Sequence, residues 1–489
     1  MEKICFELEH IEVIYLDKEV LNIERLAVHQ FDRIGIVGKN GAGKSTMLRL
    51  LSGEIKPAKG RVKSHVESIY FKQIEAPTVI EADPAIIGRL SVPTDSPQLS
   101  GGEQTRLKLA GLFTHYHEAL LIDEPTTHLD REGIDFLLEQ LRYYYGVLII
   151  ISHDRDVLDQ LVTTIWEVAD GKVKVYGGNY SDYAEQKRLE RSQQMQEHEQ
   201  YVKEKSRLEK AAQEKMKKAE KIAQGAGMSR REVNAKPNRM SETKSKGTSQ
   251  KAMHRVAKAI EQRMEQLQEV EAVQAERPIV FRQVEVLKLH NKFPVMADRL
   301  TLQVEGKRLL DEVNFQFPLG MKIAITGANG SGKSTLLHHI ASNGKGIILS
   351  PKVQIGYFQQ LSYQVATDET VFQFVNKRSE YDEGFLRSVL HRMQFDGTDI
   401  QKKVKSLSGG EMIRLQLCQL FLGEYNLLLL DEPTNFLDIH AIEALEHFIH
   451  AYEGTIIFVS HDQSFILEVA DICYKIDRKK MVQVKPTYS

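Results

Sequence analysis

The stretch Gly38-Lys39-Asn40-Gly41-Ala42-Gly43-Lys44-Ser45-Thr46 decides how the rest of the chain is interpreted. It has the form Gly-x-x-x-x-Gly-Lys-Ser, with an apolar run at 34–37 before it and a helical pattern after it. Glycines let the backbone curl so that its N–H groups point at phosphate, and the helix that follows adds its positive end. The motif therefore predicts a phosphate-binding loop between a strand and a helix.

The chain contains this motif twice, together with other motifs in the same order. The loop at 38–46 returns at 327–335, and Tyr-Phe-Lys-Gln at 70–73 returns as Tyr-Phe-Gln-Gln at 357–360. Three more motifs return 308 residues later: Leu-Ser-Gly-Gly-Glu at 99–103, Asp-Glu-Pro-Thr at 123–126 and Ser-His-Asp at 152–154. The first two offsets are 289 and 287 residues, so the second half holds about 21 extra residues before its Leu-Ser-Gly-Gly-Glu. Repetition at this length indicates a duplicated domain.

Composition describes an ordinary globular protein. Of 489 residues, 42% are hydrophobic and 27% charged, with a net charge of -2, so any nucleic-acid binding must be local. No apolar run approaches the roughly 18 residues that cross a bilayer, and the acidic start does not resemble a signal peptide. We expect a cytoplasmic protein without a membrane segment. Cys5, Cys418 and Cys473 are far apart, which predicts buried thiols rather than disulfides or a zinc site.

Residues 184–276 differ from both halves, with almost no aromatic side chains. Apolar positions at helical spacing occur at both ends, which predicts two helices that pair antiparallel, with a connecting loop at about 224–250. Between 215 and 258 there are thirteen Lys or Arg and three Glu, so the tip is basic. The basic residues of this loop that are candidates for contacts with nucleic-acid phosphates are Arg230, Arg231, Lys236, Arg239, Lys244 and Lys246. The predicted domains are residues 1–183, 184–276 and 277–489.

The phosphate loops and the strands that follow predict two sites for ATP and Mg²⁺. Lys44 and Lys333 can reach the outer phosphates, and Ser45 and Ser334 can hold Mg²⁺. The predicted ATP-binding residues of the loops are Gly38, Asn40, Gly41, Gly43, Lys44, Ser45, Thr46, Gly327, Asn329, Gly330, Gly332, Lys333, Ser334 and Thr335. The apolar runs 119–122 and 427–430 end in Asp123 and Asp431, which are placed to support the metal.

Three further residue types predict hydrolysis in both halves. Glu124 and Glu432 follow the metal-supporting aspartates and can orient or deprotonate the attacking water. Gln73 and Gln360 end strands from which an amide can touch both Mg²⁺ and water. His153 and His461 follow the apolar runs 147–151 and 455–459, where an imidazole can contact the γ-phosphate. Since both halves carry the glutamate, we expect two hydrolytic sites.

The motif Leu-Ser-Gly-Gly-Glu, with these companions, resembles the signature of ATP-binding cassettes. The resemblance implies an α/β fold with two ABC-type P-loop nucleotide-binding domains, joined here by the long antiparallel α-helical hairpin. It also implies that each signature binds the γ-phosphate held by the other cassette. One site would then include Ser408, Gly409 and Gly410, and the other Ser100, Gly101 and Gly102. Tyr15 matches the aromatic residue that stacks on adenine, whereas the equivalent Val304 departs from the pattern.

Two cassettes and a charged helical linker in one chain resemble the ABC-F family. Further resemblances are Gly-Asn-Tyr-Ser-Asp-Tyr at 178–183 and Thr-Asn-Phe-Leu-Asp at 434–438. The family implies a monomer that pairs its own cassettes around ATP and then enters the E site of the bacterial 70S ribosome. The linker tip would reach 23S rRNA, P-site tRNA and the peptidyl-transferase centre, and hydrolysis would release the protein.

Within the family, the short segment between Gln73 and Leu99 and the long linker resemble the Vga, Vml and Msr types of antibiotic-resistance protein. We therefore expect ribosome protection, first against lincosamides, streptogramins A and pleuromutilins, then against macrolides. A housekeeping ABC-F translation factor is the alternative. The ATPase subunit of a membrane transporter fits less well, because transport cassettes build docking surface in that segment. Glu124 and Glu432 argue against a binder that never turns ATP over.

Overall fold

The computed structural model describes residues 3–15, 18–72, 82–90, 101–127, 129–224, 252, 255–256, 258–260, 262–263, 279–281, 288–304, 306–359 and 367–485. Two compact units are present. One contains residues 1–183 and 277–489, and the other contains residues 184–276. Both cassettes therefore belong to a single unit.

The first cassette is an α/β domain with two sheets. Its elements are β1 (Ile4–Tyr15), β2 (Lys18–His29), β3 (Arg33–Val37), α1 (Lys44–Leu51), β4 (Lys59–Ser64), β5 (Ser68–Phe71), α2 (Pro84–Arg89), α3 (Gly101–Thr114), β6 (Ala119–Asp123), α4 (Arg131–Arg142), β7 (Val147–Ile151), α5 (Arg155–Leu161), β8 (Thr164–Ala169) and β9 (Lys172–Gly177). One sheet has the order β5-β6-β7-β3-β8-β9 and is parallel except for the β8–β9 pair. The other is antiparallel, in the order β2-β1-β4.

The second cassette repeats this topology. Its elements are β10 (Val295–Val304), β11 (Lys307–Phe317), β12 (Lys322–Gly327), α7 (Lys333–Ala341), β13 (Ile347–Leu349), β14 (Ile355–Phe358), α8 (Val371–Asn376), α9 (Glu383–Arg392), α10 (Gly409–Phe421), β15 (Leu427–Asp431), α11 (Ile439–Ala451), β16 (Thr455–Val459), α12 (Gln463–Val469), β17 (Ile472–Asp477) and β18 (Lys480–Val484). The mainly parallel sheet has the order β14-β15-β16-β12-β17-β18. The prediction of two α/β nucleotide-binding domains is confirmed.

The central strands lie where the apolar runs predict them. Every residue of β6, β7, β15 and β16 is buried. Strands of a parallel sheet are covered by helices or sheets on both faces, so they consist of continuous apolar residues instead of an alternating pattern. Between the second and third motifs the second half has α8 and α9, where the described part of the first cassette has α2.

The linker unit contains most of a long helix, α6 (Tyr180–Gln224). The helix begins within the first cassette, four residues before the predicted boundary, because Asn179 and Asp182 cap its first turn. The backbone N–H of Asp182 donates to Asn179 Oδ1, and that of Asn179 donates to Asp182 Oδ2. Within the linker unit, Arg263 Nη2 lies 3.8 Å from Glu204 Oε1. The loop at 225–250, with all six candidate tip residues, lies outside the described residues.

Two further predictions can be compared with this structure. Cys5, Cys418 and Cys473 are buried and free, which confirms the prediction of buried thiols. Among the described residues, no helix is both long enough and apolar enough to span a membrane.

Candidate functional site

Both phosphate loops open into one cavity of about 1750 Å³ between the cassettes. Residues of the two loops line it, together with the starts of α3 and α10 and the ends of β6 and β15. The carboxyl ends of parallel strands are where open α/β sheets bind ligands. The cavity is therefore built from two such edges that face each other.

Each phosphate loop is held in its curled form by glycine and lysine. Gly43 has φ of 105°, and a Cβ there would lie 3.0 Å from Val20 Cγ1, so a side chain would be both strained and crowded. Lys44 is buried and donates from Nζ to the backbone oxygens of Gly38 at 2.7 Å and Lys39 at 3.2 Å. Lys333 makes the equivalent bonds at 2.8 and 3.1 Å. The ammonium groups are thus aimed into the loops, where phosphate would replace weak carbonyl partners.

Oxygen atoms suited to a hard cation lie beside each loop. Ser334 Oγ donates a 2.8 Å hydrogen bond to Asp431 Oδ1. Asp123 accepts hydrogen bonds from the side chain of Ser45 and, at 3.0 Å, from the hydroxyl of Tyr70. Burial raises the pKa of both aspartates. Hydroxyl and carboxylate oxygens are the ligands that Mg²⁺ takes when it also binds phosphates. These residues fit a magnesium ion at each site.

A glutamate and a histidine meet at the edge of each loop. His153 Nε2 lies 3.1 Å from Glu124 Oε1, and His461 Nε2 lies 3.3 Å from Glu432 Oε1. Burial raises the pKa of Glu124 to about 8 and that of Glu432 to about 7. It lowers the pKa of His153 to about 3 and that of His461 to about 4. Burial therefore favours the uncharged form of all four groups.

One glutamate oxygen lacks a hydrogen-bond donor. His153 Nε2 lies 3.1 Å from the buried Oε1 of Glu124 but is not aligned for a hydrogen bond, and no other described residue donates to this atom. Glu124 also has φ of 48°, as Glu432 has φ of 49°, and positive φ is uncommon for residues other than glycine. An unsatisfied buried acceptor and a strained backbone at the same residue are typical of functional sites. A water molecule bound at Oε1 would satisfy this atom.

The second signature lies against the first phosphate loop. Ser408 caps α10, and its Oγ accepts from the N–H of Glu411 while Glu411 Oε2 accepts from the N–H of Ser408. A Cβ at Gly410 would lie 3.4 Å from Asn40 Nδ2, so the start of α10 packs directly against the first phosphate loop. Gly102 lines the same cavity. The structure thus brings each signature to the cavity shared with the opposite loop.

Sequence reasoning missed two buried aspartates that join the cassettes. Asp438 caps α11 and also accepts a 2.8 Å bond from the backbone N–H of Asn40. Asp130 caps α4 and accepts a 3.3 Å bond from the N–H of Asn329. A signal was available, because Asp130 and Asp438 are separated by the same 308 residues as the neighbouring motifs. Both aspartates connect a helix start to the opposite phosphate loop.

The two sites differ at the position expected to contact adenine. Tyr15 ends β1, pairs with Lys18 across the hairpin and lines the cavity with a 41% exposed side chain. Val304 occupies the same hairpin position in the second cassette, opposite Lys307. Lys307 lines the cavity there. Gln73, Gln360 and Ser100, the other predicted site residues without a position given above, lie outside the described residues.

Comparison with known proteins agrees with this geometry. The family model for "ABC transporter" matches residues 21–91 and 310–435. The chain is 41% identical to "Erythromycin resistance ATP-binding protein MsrA" of Staphylococcus epidermidis over 96% of this chain and 97% of that protein. It is 31% identical to "Ribosome protection protein VmlR" of Bacillus subtilis (strain 168) over 92% of this chain and 82% of that protein.

Solved structures share the same tandem fold. "RNase-L Inhibitor" superposes with a TM-score of 0.63 at 18% identity, covering 97% of this chain and 90% of that one. The fold and the duplicated site together define an ATPase with two ATP-binding cassettes. Since these two relatives are similar to it over 97% and 82% of their own length, the chain belongs to the ABC-F family.

Proposed function

We propose that this protein protects bacterial ribosomes from antibiotics. The observation that carries the proposal is the similarity, over nearly the full length of both chains, to an erythromycin resistance protein and to a ribosome protection protein. Because the more similar relative is named for erythromycin, a macrolide, we place macrolides first among the drugs to test. Lincosamides, streptogramins A and pleuromutilins follow, which reverses the order expected from sequence.

In the proposed mechanism, ATP binding draws the cassettes together. Lys44 and Lys333 bind the outer phosphates. Ser45, Gln73 and Asp123 would hold one Mg²⁺ ion, and Ser334, Gln360 and Asp431 would hold the other. Ser408 and Gly410 complete the first site, and Ser100 and Gly102 the second. A ligand that contacts both cassettes binds only the closed state, so it shifts the population toward that state.

Hydrolysis then lets the cassettes separate. Glu124 and Glu432 hold the attacking water and accept its proton, and His153 and His461 orient the γ-phosphate. A bound Mg²⁺ would supply positive charge that offsets the charge on the phosphates and favours the ionised form of the nearby glutamates. The buried Oε1 of Glu124 supports this role, because His153 Nε2, 3.1 Å away, does not donate a hydrogen bond to it.

We propose three domains, residues 1–183, 184–276 and 277–489, in a cytoplasmic monomer. The closed form would bind the ribosomal E site of the 70S particle, with the linker tip directed toward the peptidyl-transferase centre. The six basic tip residues would contact 23S rRNA phosphates and P-site tRNA. Drug would leave when the tip arrives, and ATP hydrolysis would release the protein.

The experiment that tests this proposal uses Glu124→Gln with Glu432→Gln. This variant should retain ATP while hydrolysing it at least about a hundredfold more slowly, because the amide cannot accept the proton. We expect it to sediment with 70S ribosomes in sucrose gradients with ATP and Mg²⁺, but not with ADP. The matched control, Glu139→Gln with Glu383→Gln, changes exposed glutamates and should leave turnover unchanged.

The second half of the test measures the minimal inhibitory concentration of erythromycin, a lincosamide and a pleuromutilin in a bacterium that expresses the unmodified protein. Higher resistance to at least one drug supports ribosome protection. Co-sedimentation without any resistance would instead identify a housekeeping factor. If the trapped variant stays at the top of the gradient beside intact ribosomes, the ribosomal proposal is wrong.

A further inference from the structure

A buried ion pair joins the cassettes through α5. Arg155, the first residue of α5, places Nη1 3.0 Å from Oε1 of Glu446 on α11 of the other cassette. Both terminal nitrogens of Arg155 also lie 3.3 Å from Glu446 Oε2. The side chains are only 17% and 10% exposed, so solvent screens the pair weakly. Because both donors converge on one carboxylate oxygen, the contact fixes geometry as well as charge.

The pseudo-symmetric position has no such pair. The offset of 308 residues equates Arg155 with Gln463 and Glu446 with Leu138. Gln463 is the first residue of α12, and Leu138 is buried on α4. An amide and a leucine cannot form an ion pair. The two halves of the interface are therefore not equivalent, although their phosphate loops are.

The same short helix holds the start of α6. Asp159 lies one turn after Arg155 on the same face of α5. Its Oδ1 accepts a 2.7 Å bond from the backbone N–H of Ser181, and its Oδ2 accepts a 2.7 Å bond from Ser181 Oγ. Tyr183 fixes the other side of this first turn, since its hydroxyl donates to Glu167 Oε1 at 2.9 Å. The first turn of α6 is therefore attached to α5 and β8.

We propose that α5 couples closure of the cassettes to the first turns of α6, with Arg155 and Glu446 as its positioning pair. His153 lies two residues before α5, so one segment of nine residues, 153–161, contacts the glutamate of the first site, the second cassette and α6. Separation of the cassettes removes Glu446 from Arg155 and frees α5 to shift, which moves Ser181 with Asp159. Closure restores the pair and fixes the first turn of α6 again.

This coupling is specific to one side. The second cassette holds Gln463 where Arg155 would lie, so closure there has no equivalent ion pair. The proposal rests on the proposed function only in requiring that ATP closes the cassettes. It does not require a ribosome, which allows the two ideas to fail separately.

Hydrogen exchange of the full-length chain tests the coupling. The background is Glu124→Gln with Glu432→Gln, measured with and without ATP and Mg²⁺ and without ribosomes, and the reporter is the set of backbone amides 181–190. In the background, we expect ATP to slow their exchange at least about fivefold, the lower end of typical coupling between sites. Arg155→Met or Glu446→Gln should abolish most of this ATP-dependent change, and the double variant should lose no more than either single variant.

Arg142→Met is the matched control. Arg142 Nη2 donates to Gln160 on α5 at 2.9 Å, but it belongs to the first cassette and is exposed. This variant should keep the full ATP-dependent change. Arg155→Lys retains the charge and should keep part of the ATP-dependent change. Ser181→Ala should keep the ATPase activity of the otherwise unmodified chain while reducing the change at 181–190.

The measured quantity is the difference in exchange rate at 181–190 with and without ATP. A residue with a merely structural role would change both rates alike, so this difference reports coupling. If Arg155→Met behaves like Arg142→Met, the coupling proposal is overturned. If Arg155→Met does not fold, Glu446→Gln and Ser181→Ala decide, and an unchanged ATP response in both also overturns it. Absence of ribosome binding by the trapped background would affect the proposed function alone.

Discussion

At the scale of residues, the half-buried Arg33 and the buried Lys322 show how each cassette holds the end of a helix with a cation. Arg33 Nη2 donates to the backbone oxygens of Leu141 and Tyr144, at 2.9 Å each. Lys322 Nζ donates to those of Tyr452 and Gly454, at 2.7 Å each. Carbonyls at a helix end have no partners within the helix, and they favour positive charge. Two different cations thus serve the same purpose in the two halves.

We expect Lys322→Met to destabilise the second cassette by about 1–3 kcal/mol for each carbonyl left without a donor. Lys322→Arg should retain these bonds, as the arginine at the equivalent position does. The measurement is urea unfolding of both variants at pH 7.5. An equal loss of stability in the two variants would show that the stability depends on side-chain shape and not on the hydrogen-bond donors.

Lys322 also predicts a pH dependence. Burial lowers its pKa to about 8, whereas the unfolded chain keeps a value near 10.4. Between these values the folded protein has lost a proton that the unfolded chain retains, so the contribution of Lys322 to the free energy of unfolding rises with pH in this window. The free energy of unfolding of the parent should therefore rise relative to that of Lys322→Arg from pH 7.5 to 9.5. A constant difference across this range would contradict the assigned cause.

At the scale of elements, the sequence predicted the central strands well and the helix starts less well. The apolar runs 147–151 and 455–459 coincide with β7 and β16, because a strand buried on both faces has a local sequence signal. The start of α6 depends on the cap that Asn179 forms with Asp182, which the predicted boundary did not use. The pair Arg155–Glu446 joins residues 291 positions apart, so only tertiary structure reveals it.

The candidate site could be predicted because its residues lie in repeated motifs. Lys44, Asp123, Glu124 and His153 meet at one cavity in the structure, as their counterparts do in the second half. Asp130 and Asp438 were overlooked since an aspartate at a helix start is usually only a cap. Their contacts with Asn329 and Asn40 require the partner cassette, which no local pattern describes.

A shorter polar residue at position 438 can keep the cap of α11 while it removes the contact with Asn40. Asp438→Ser keeps a cap for the N–H of Ala441 but shortens the side chain and removes the charge that faces Asn40. We expect the ATPase activity of the folded variant to fall about tenfold, and the free energy of unfolding to fall by about 1–3 kcal/mol because Gln394 and the buried Arg414 lose their carboxylate partner. Asp382→Ser, at the exposed cap of α9, is the control and should leave activity unchanged. Similar activity in the two variants would contradict a role of Asp438 between the cassettes.

At the scale of the whole molecule, both halves of each ATP site belong to one chain. Specific ATPase activity should therefore stay constant over an approximately hundredfold dilution, because closure is intramolecular. Lys44→Ala and Lys333→Ala give a direct test when the two variant chains are mixed. We expect the mixture to hydrolyse ATP at the mean of the two separate rates. A rate above that mean, falling on dilution, would show that cassettes pair between chains.

The buried thiols make the natural chain a convenient starting point for spectroscopy. Cys5, Cys418 and Cys473 are each less than 5% exposed, and burial raises the pKa of all three. The thiolate is the species that reacts with maleimides, so these cysteines should label slowly in the folded protein. A cysteine introduced on the surface would then carry a dye selectively without prior removal of native ones. The opening and closing of the cassettes could then be followed in single molecules that keep their buried cysteines.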